Sequence, residues 1–215
     1  MLLKSWLLRV SCTAMLLFAL VGMSTSASAQ NVLVNPSFES GLTGWTAFAN
    51  VYPEVSNPPQ FVPLTGNGLV SMFGNWWGSF NVSGIFQEFP CSAGDQWRIS
   101  SNARFWSGDP MIGSQAAGGN WVVQKVAFFN GGGTEIGGID SIILDGSFAA
   151  DVWHPAAPIV GTAPVGTAKV QALILYLQPL WDGGAAHIDD VEFVNVTAVS
   201  TDKSTWGQVK SLYAR

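Results

Sequence analysis

Cysteine is nearly absent from this chain, which has only Cys12 and Cys91. Cys12 lies in a leader-like stretch, so a processed chain keeps one thiol and closes no intrachain disulfide. Charge is scarce as well, at 11% of residues, with nine Lys and Arg against fourteen Asp and Glu. A thinly charged, acidic surface is a poor partner for nucleic acid or an anionic membrane, because both are held by clustered cations. Only two histidines are present, His154 and His187, and neither sits in an H-E-x-x-H spacing. There is no G-x-S-x-G nucleophile elbow. Cys91 lies in a turn with no activating neighbour in sequence. A glycosidase needs two carboxylates facing each other across a cleft, and no spacing here pairs any two of the acids. His187 and Asp189 are two residues apart and share a strand face; they read as a hydrogen-bonded seam rather than a catalytic dyad. These absences argue against an enzyme.

The first residues read as a removable export signal. Lys4 and Arg9 form a basic start, Val10–Met23 is apolar, and Ala27-Ser28-Ala29 is a cleavage site. The apolar run is short for a membrane span. The expected order is a signal at 1–29, one domain at 30–196, and a linker with a short tail at 197–215. Localisation is expected to be secreted: periplasm, cell surface or medium. In the tail, Trp206, Val209 and Tyr213 would share one side of a short helix. Its Trp-Gly-plus-basic ending is similar to those of some exported bacterial proteins, and a sorting or docking role is one reading of it.

What the chain has in quantity is glycine (24), tryptophan (10) and phenylalanine (13). No segment before the tail shows helical periodicity, whereas short apolar runs recur between Gly, Pro and Asn turns. Strands are expected at Val32–Val34, Trp45–Val55, Leu69–Phe73, Phe80–Phe89, Gln96–Trp106, Trp121–Phe129, Glu135–Leu144, Val152–Val160, Lys169–Leu177 and Ala185–Val196. The fold class is therefore all-β, a sandwich or jelly roll. The segments Asn31–Trp45 and Ala185–Val196 are expected to run side by side as first and last strands. That pairing would place the carboxylates of Glu39, Asp189 and Asp190 near one seam.

Gln96–Trp106 is the most legible strand. Trp97, Ile99, Ala103 and Phe105 share one parity and are assigned to the core; Arg98, Ser100, Asn102, Arg104 and Trp106 share the other and are assigned to an open face. A pyranose ring presents an apolar C–H face and a rim of hydroxyls, so a sugar site needs indole planes beside polar side chains. The candidates are Trp76 and Trp77 in the loop G-N-W-W-G, Trp106, Trp181 before the last strand, and Arg98, Asn102, Arg104 and Gln178. For Trp76 and Trp77 a hydrophobic lid is an equal reading. Trp45, Trp97, Trp121 and Trp153 are assigned to the core.

Three motifs in order, N-P-S-F-E-S-G…G-W-T, P-C-S-A-G-D-Q-W and H-I-D-D-V-E-F, resemble carbohydrate-binding modules of the family four, nine and twenty-two type. The resemblance covers roughly Asn31 to Val196 and implies a galactose-binding-like jelly roll that binds a polysaccharide or glycan. It also implies a structural calcium held by Glu39 with Asp189 or Asp190, a set of hard oxygen donors suited to that ion. The region Pro63–Gly68, where some members add another acid, has none. The alternative for Asp189 and Asp190 is that they accept hydrogen bonds from turn amides. Three functions follow in order: a secreted non-catalytic carbohydrate-binding protein, a structural or adhesive surface component, and a small glycan hydrolase or lyase.

Overall fold

The computed structural model describes residues 30–197, so the segment expected to be an export signal and most of the tail lie outside the described residues. Within them the chain forms eleven strands: β1 (Thr46–Phe48), β2 (Val51–Val55), β3 (Gly68–Phe73), β4 (Asn81–Pro90), β5 (Gln96–Phe105), β6 (Trp121–Asn130), β7 (Glu135–Asp145), β8 (His154–Pro155), β9 (Ile159–Thr162), β10 (Thr167–Gln178) and β11 (Ala185–Asn195). They pair as a five-stranded sheet, β1-β4-β10-β6-β7, and a six-stranded sheet, β2-β3-β11-β5-β8, with β9 also on β5. All pairings are antiparallel, and the two sheets stack as a jelly-roll sandwich.

Alternation on the long strands builds the core. On β10, Val170, Ala172, Ile174 and Tyr176 are fully buried, and Trp97, Ile99, Ala103 and Phe105 on β5 are buried from the other sheet. Near one end of the core, Trp97 stacks on Phe193 with centroids 4.8 Å apart, and Phe89 lies 5.7 Å from Phe193. Gln124, buried between the sheets, has its amide fully engaged. The Gln124 carboxamide accepts from Ser101 Oγ and donates to Ser141 Oγ and the Ala157 carbonyl. Such pairing offsets most of the cost of removing an amide from water.

The structure differs from the expected strands at the chain's start. Residues 32–34 form no strand. Instead the segment hooks along β11, with Val32 N–H donating to the Phe193 carbonyl, Val191 N–H to the Pro36 carbonyl, and Asn31 bridging Phe193 N–H and the Val191 carbonyl. Beginning and end are therefore adjacent, but through a hook rather than a ladder. Asn35 and Phe38 adopt left-handed φ of 53° and 57°, which turns the chain away before a strand can extend. The single strand expected over Trp45–Val55 is two, β1 and β2, in different sheets, with the corner at Ala49 (φ 56°). The segment expected over Val152–Val160 is likewise split into β8 and β9.

Trp45 and Trp97 are buried as assigned, whereas Trp121 and Trp153 are only half-buried. Trp121 takes the parity opposite to core residue Val122, so its indole belongs to the outward face of the five-stranded sheet. Trp153 lies over the six-stranded sheet, where its indole N–H donates to the Val62 carbonyl.

Candidate functional site

The antiparallel order brings one set of strand ends together. β3 and β10 finish where β4, β6 and β11 begin, so loops 74–80 and 179–184 emerge side by side. These loops carry Trp76, Trp77 and Trp181, exposed by 43%, 75% and 66%. Three aromatics climb from the six-stranded side as a stack: Tyr52 to Phe73 at 5.4 Å and 9°, then Phe73 to Trp76 at 5.2 Å and 16°. On the five-stranded side Phe80 lies 6.4 Å from Trp121. The result is an aromatic belt across one end of the sandwich, with Trp77 and Trp181 at its crest.

The belt is held by polar groups beneath it. Trp76 has φ 55°, a conformation that costs a non-glycine residue about 1–3 kcal/mol and persists only where its surroundings impose it. Its N–H donates to Gln178 Oε1 at 2.7 Å, and its ring rests on Phe73. Asn50 donates to the Gly74 carbonyl and to Asn75 Oδ1, and Asn81 Oδ1 accepts from Asn75 N–H. A Cβ on Gly78 would overlap the Trp181 indole, so glycine there lets the ring lie on the backbone.

Gln178 is fully buried, so it is a support of the belt and not a polar group that meets a ligand. Trp106 lies at the end of β5 with its indole against Gly108, in a different loop from the other tryptophans. Phe73, Phe80, Tyr52 and Trp121, which complete the belt, carry no motif of their own in the sequence. Only the pairing of strand ends brings them beside the tryptophans.

The polar parity of β5 is closed over at Arg104. Arg104 is 2% exposed, and its guanidinium donates to the Gln60 and Val62 carbonyls and pairs with Asp151 at 3.2 Å. Trp153 covers it, with the guanidinium carbon 5.9 Å from the ring centroid. Arg98 pairs with Glu192 at 3.0 Å, and Asn102 donates to the Asp190 carbonyl. Segments crossing the sheet carry Gln60, Val62, Asp151 and Trp153 over it. A guanidinium so covered must be paired, and here the partners are internal. The expectation that Arg104 lines an open sugar-binding sheet is corrected accordingly; Arg98 and Asn102 stay half-buried on that face, engaged with Glu192 and the Asp190 carbonyl.

Glu39, Asp189 and Asp190 do not form an oxygen cage. Glu39 accepts from the Asn67 and Gly68 amides, Asp189 from Leu64, Thr65 and Asp190, and Asp190 from Thr65 Oγ1. Among the described residues no three acidic, histidine or cysteine side chains converge as a metal site. The carboxylates clamp the loop before β3 through its amides, and this donor set does not fit the calcium that the resemblance implies. Burial pushes the Asp189 carboxyl up to about 6 despite its three amide bonds. Beside it His187 is buried against Phe61 at 5.3 Å; burial, then the charge of Arg104, pulls its pKa down to about 4. Burial raises the Cys91 thiol to about 11, far from a reactive thiolate.

A second surface has no counterpart in the sequence assignments. On β10 the outward residues Leu173, Leu175 and Leu177 are only half-buried. Opposite them stand Phe86, Gly84 and Val82 on β4, and Lys125, Val123 and Trp121 on β6. Phe48 lies across from Gly84. This apolar outward face runs up to Trp121, and the ion pairs Lys169–Glu88 (3.0 Å) and Lys125–Glu135 (2.7 Å) lie toward its other end.

No family model and no curated protein matches the chain. Solved structures do. A family 61 carbohydrate-binding module in complex with β-1,4-galactotriose superposes with a TM-score of 0.51 at 19% identity, over 78% of this chain and 99% of its own. A family 16 carbohydrate-binding module gives 0.50 at 14% identity, over 77% of this chain and 100% of its own. The enzymatically active domain of tailspike protein 4 of bacteriophage CBA120 gives 0.52 at 13% identity, over 77% of this chain but 21% of that one. At these identities the likeness is one of fold. The sandwich is of the kind seen in carbohydrate-binding modules.

Proposed function

We propose that this chain is an exported, non-catalytic carbohydrate-binding protein that grips a polysaccharide by stacking sugar rings on the aromatic belt. The observation that carries the reading is the pair of indoles at the crest, Trp77 and Trp181, exposed by 75% and 66% on loops pinned from below. Exposed rings on a fixed support lose little conformational freedom on binding, and each offers a large flat apolar plane. Asn75, Ser79 and Asp182 sit in the same two loops and supply hydroxyl-binding groups at the rim. The leader-like stretch at 1–29, with its basic start, apolar run and Ala-Ser-Ala, supports export to the periplasm, cell surface or medium. The β-1,4-galactotriose held by the family 61 module makes β-1,4-galactan the first polysaccharide to try.

The test is retention of the mature chain on a panel of insoluble polysaccharides that includes β-1,4-galactan. Trp77→Ala and Trp181→Ala are each expected to weaken retention about tenfold, roughly 1.4 kcal/mol, with the melting temperature unchanged. The apolar outward face of the five-stranded sheet favours a second reading, a structural or adhesive component that meets other protein surfaces there. Self-association with no retention on any glycan would select that reading.

A further inference from the structure

We propose that Gln178 is the positioning residue of the crest: its buried carboxamide ties both tryptophan-bearing loops to the sandwich and sets where Trp76 and Trp181 stand. Gln178 is the last residue of β10 and is fully buried. Its Oε1 accepts from Trp76 N–H at 2.7 Å and from Asn81 Nδ2 at 3.0 Å. Its Nε2 donates to the Asp182 carbonyl at 2.7 Å. One planar amide thus bonds to loop 74–80 on one side and to loop 179–184 on the other. Gly74 leaves the space it occupies, since a Cβ there would overlap the Gln178 side chain.

The chemistry requires an amide. Trp76 holds a left-handed backbone, and the hydrogen bond from its N–H to a buried acceptor helps keep it there. Asp182 follows Trp181 directly, and its carbonyl, which also accepts from Asn120 Nδ2 at 2.6 Å, anchors the loop one residue beyond the indole that lies on Gly78. An acceptor alone serves the first loop, a donor alone serves the second, and a carboxamide serves both. The consequence for sugar binding rests on the proposed function, but the positioning itself does not.

The test uses the mature chain labelled with fluorotryptophan, its fluorine resonances assigned by single Trp→Phe substitutions. Gln178→Met keeps the side-chain length without hydrogen bonds and is expected to move the Trp76 and Trp181 resonances while leaving core Trp97 in place. Gln178→Glu is read at alkaline pH, because burial raises a carboxyl's pKa and the neutral acid would keep a donor; once ionised it keeps an acceptor for Trp76 and loses the donor to Asp182, so Trp181 moves and Trp76 stays. In wild type, the Trp76 amide is expected to exchange as slowly as the β4 amides, a measurement that stands even if a variant fails to fold. Unmoved Trp76 and Trp181 resonances, a Trp97 shift of equal size, or a fast-exchanging Trp76 amide would overturn the proposal. Retention on β-1,4-galactan is read in parallel, and Gln178→Met is expected to lower it about tenfold. If wild type binds no glycan while the resonances move as described, the sugar reading fails and the positioning role stands.

Discussion

At the scale of single residues, Gly78 shows how a position without a side chain governs one that has a large one. It has φ 71°, and any Cβ would collide with the Trp181 indole. Gly78→Ala therefore combines a left-handed backbone cost of about 1–2 kcal/mol with displacement of the ring. The expected outcome is loss of polysaccharide retention comparable to Trp181→Ala, although no tryptophan has been altered. A binding isotherm on the same polysaccharide checks it.

Also at this scale, His187 and Asp189 oppose each other in their effect on stability. The His187 pKa is lowered, so the stability it contributes is present above its ordinary value of 6.5 and lost as pH falls through about 4. The Asp189 pKa is raised, so its contribution is present below its ordinary value of 3.8 and lost as pH rises through about 6. The charged groups around them are Arg104, with Asp151 behind it, and Asp190. Asp189→Asn removes one of the two slopes. The gain of the variant over wild type is expected to be largest above the Asp189 pKa and to shrink as pH falls toward that of His187. Urea midpoints of both proteins across that window measure it; a constant gap would contradict the assignment.

At the scale of elements, β11 carries the closure of the fold. It pairs with β3 and β5, receives the chain's opening residues along its edge, and places Phe193 against Trp97 and Phe89. Phe193→Ala is expected to cost about 3–5 kcal/mol, read from denaturant midpoints.

Most strands were legible because a half-buried strand alternates, and β5 alternates cleanly from Trp97 to Ala103. Alternation sorts side chains into two faces but does not say what lies over the second. Arg104 and Asn102 therefore read as an open site, although the structure places Arg104 under segments far off in the chain. On β10 and β6, by contrast, apolar residues occupy both parities. Their outward residues, Trp121 and Leu175 among them, are in fact only half-buried. The exposure of Trp76 and Trp77 was legible because indoles in a loop between glycines have no core to enter, and that of Trp181 because it sits in the Pro179–Gly184 loop. Their neighbours Tyr52, Phe73 and Phe80 were not, since stacking across strand ends depends on sheet order.

At the scale of the whole molecule, the chain closes its sandwich without a disulfide. Its only cysteine among the described residues is the buried Cys91 thiol. The clamp of Glu39, Asp189 and Asp190 on the loop before β3 joins regions far apart in sequence through amide hydrogen bonds. With those oxygens engaged, the melting temperature is expected to be the same in calcium as in chelator. A rise of several degrees with calcium, by differential scanning calorimetry, would restore the metal.

The central claim is that exposed indoles at one end of the sandwich hold a polysaccharide. Its most direct measurement is depletion of the mature chain from solution by insoluble polysaccharides, β-1,4-galactan first, beside a Trp77→Ala/Trp181→Ala double variant of equal melting temperature. Wild type is expected to be retained by at least one polysaccharide while the double variant stays in solution. Retention of both alike, or of neither on any polysaccharide, would contradict it.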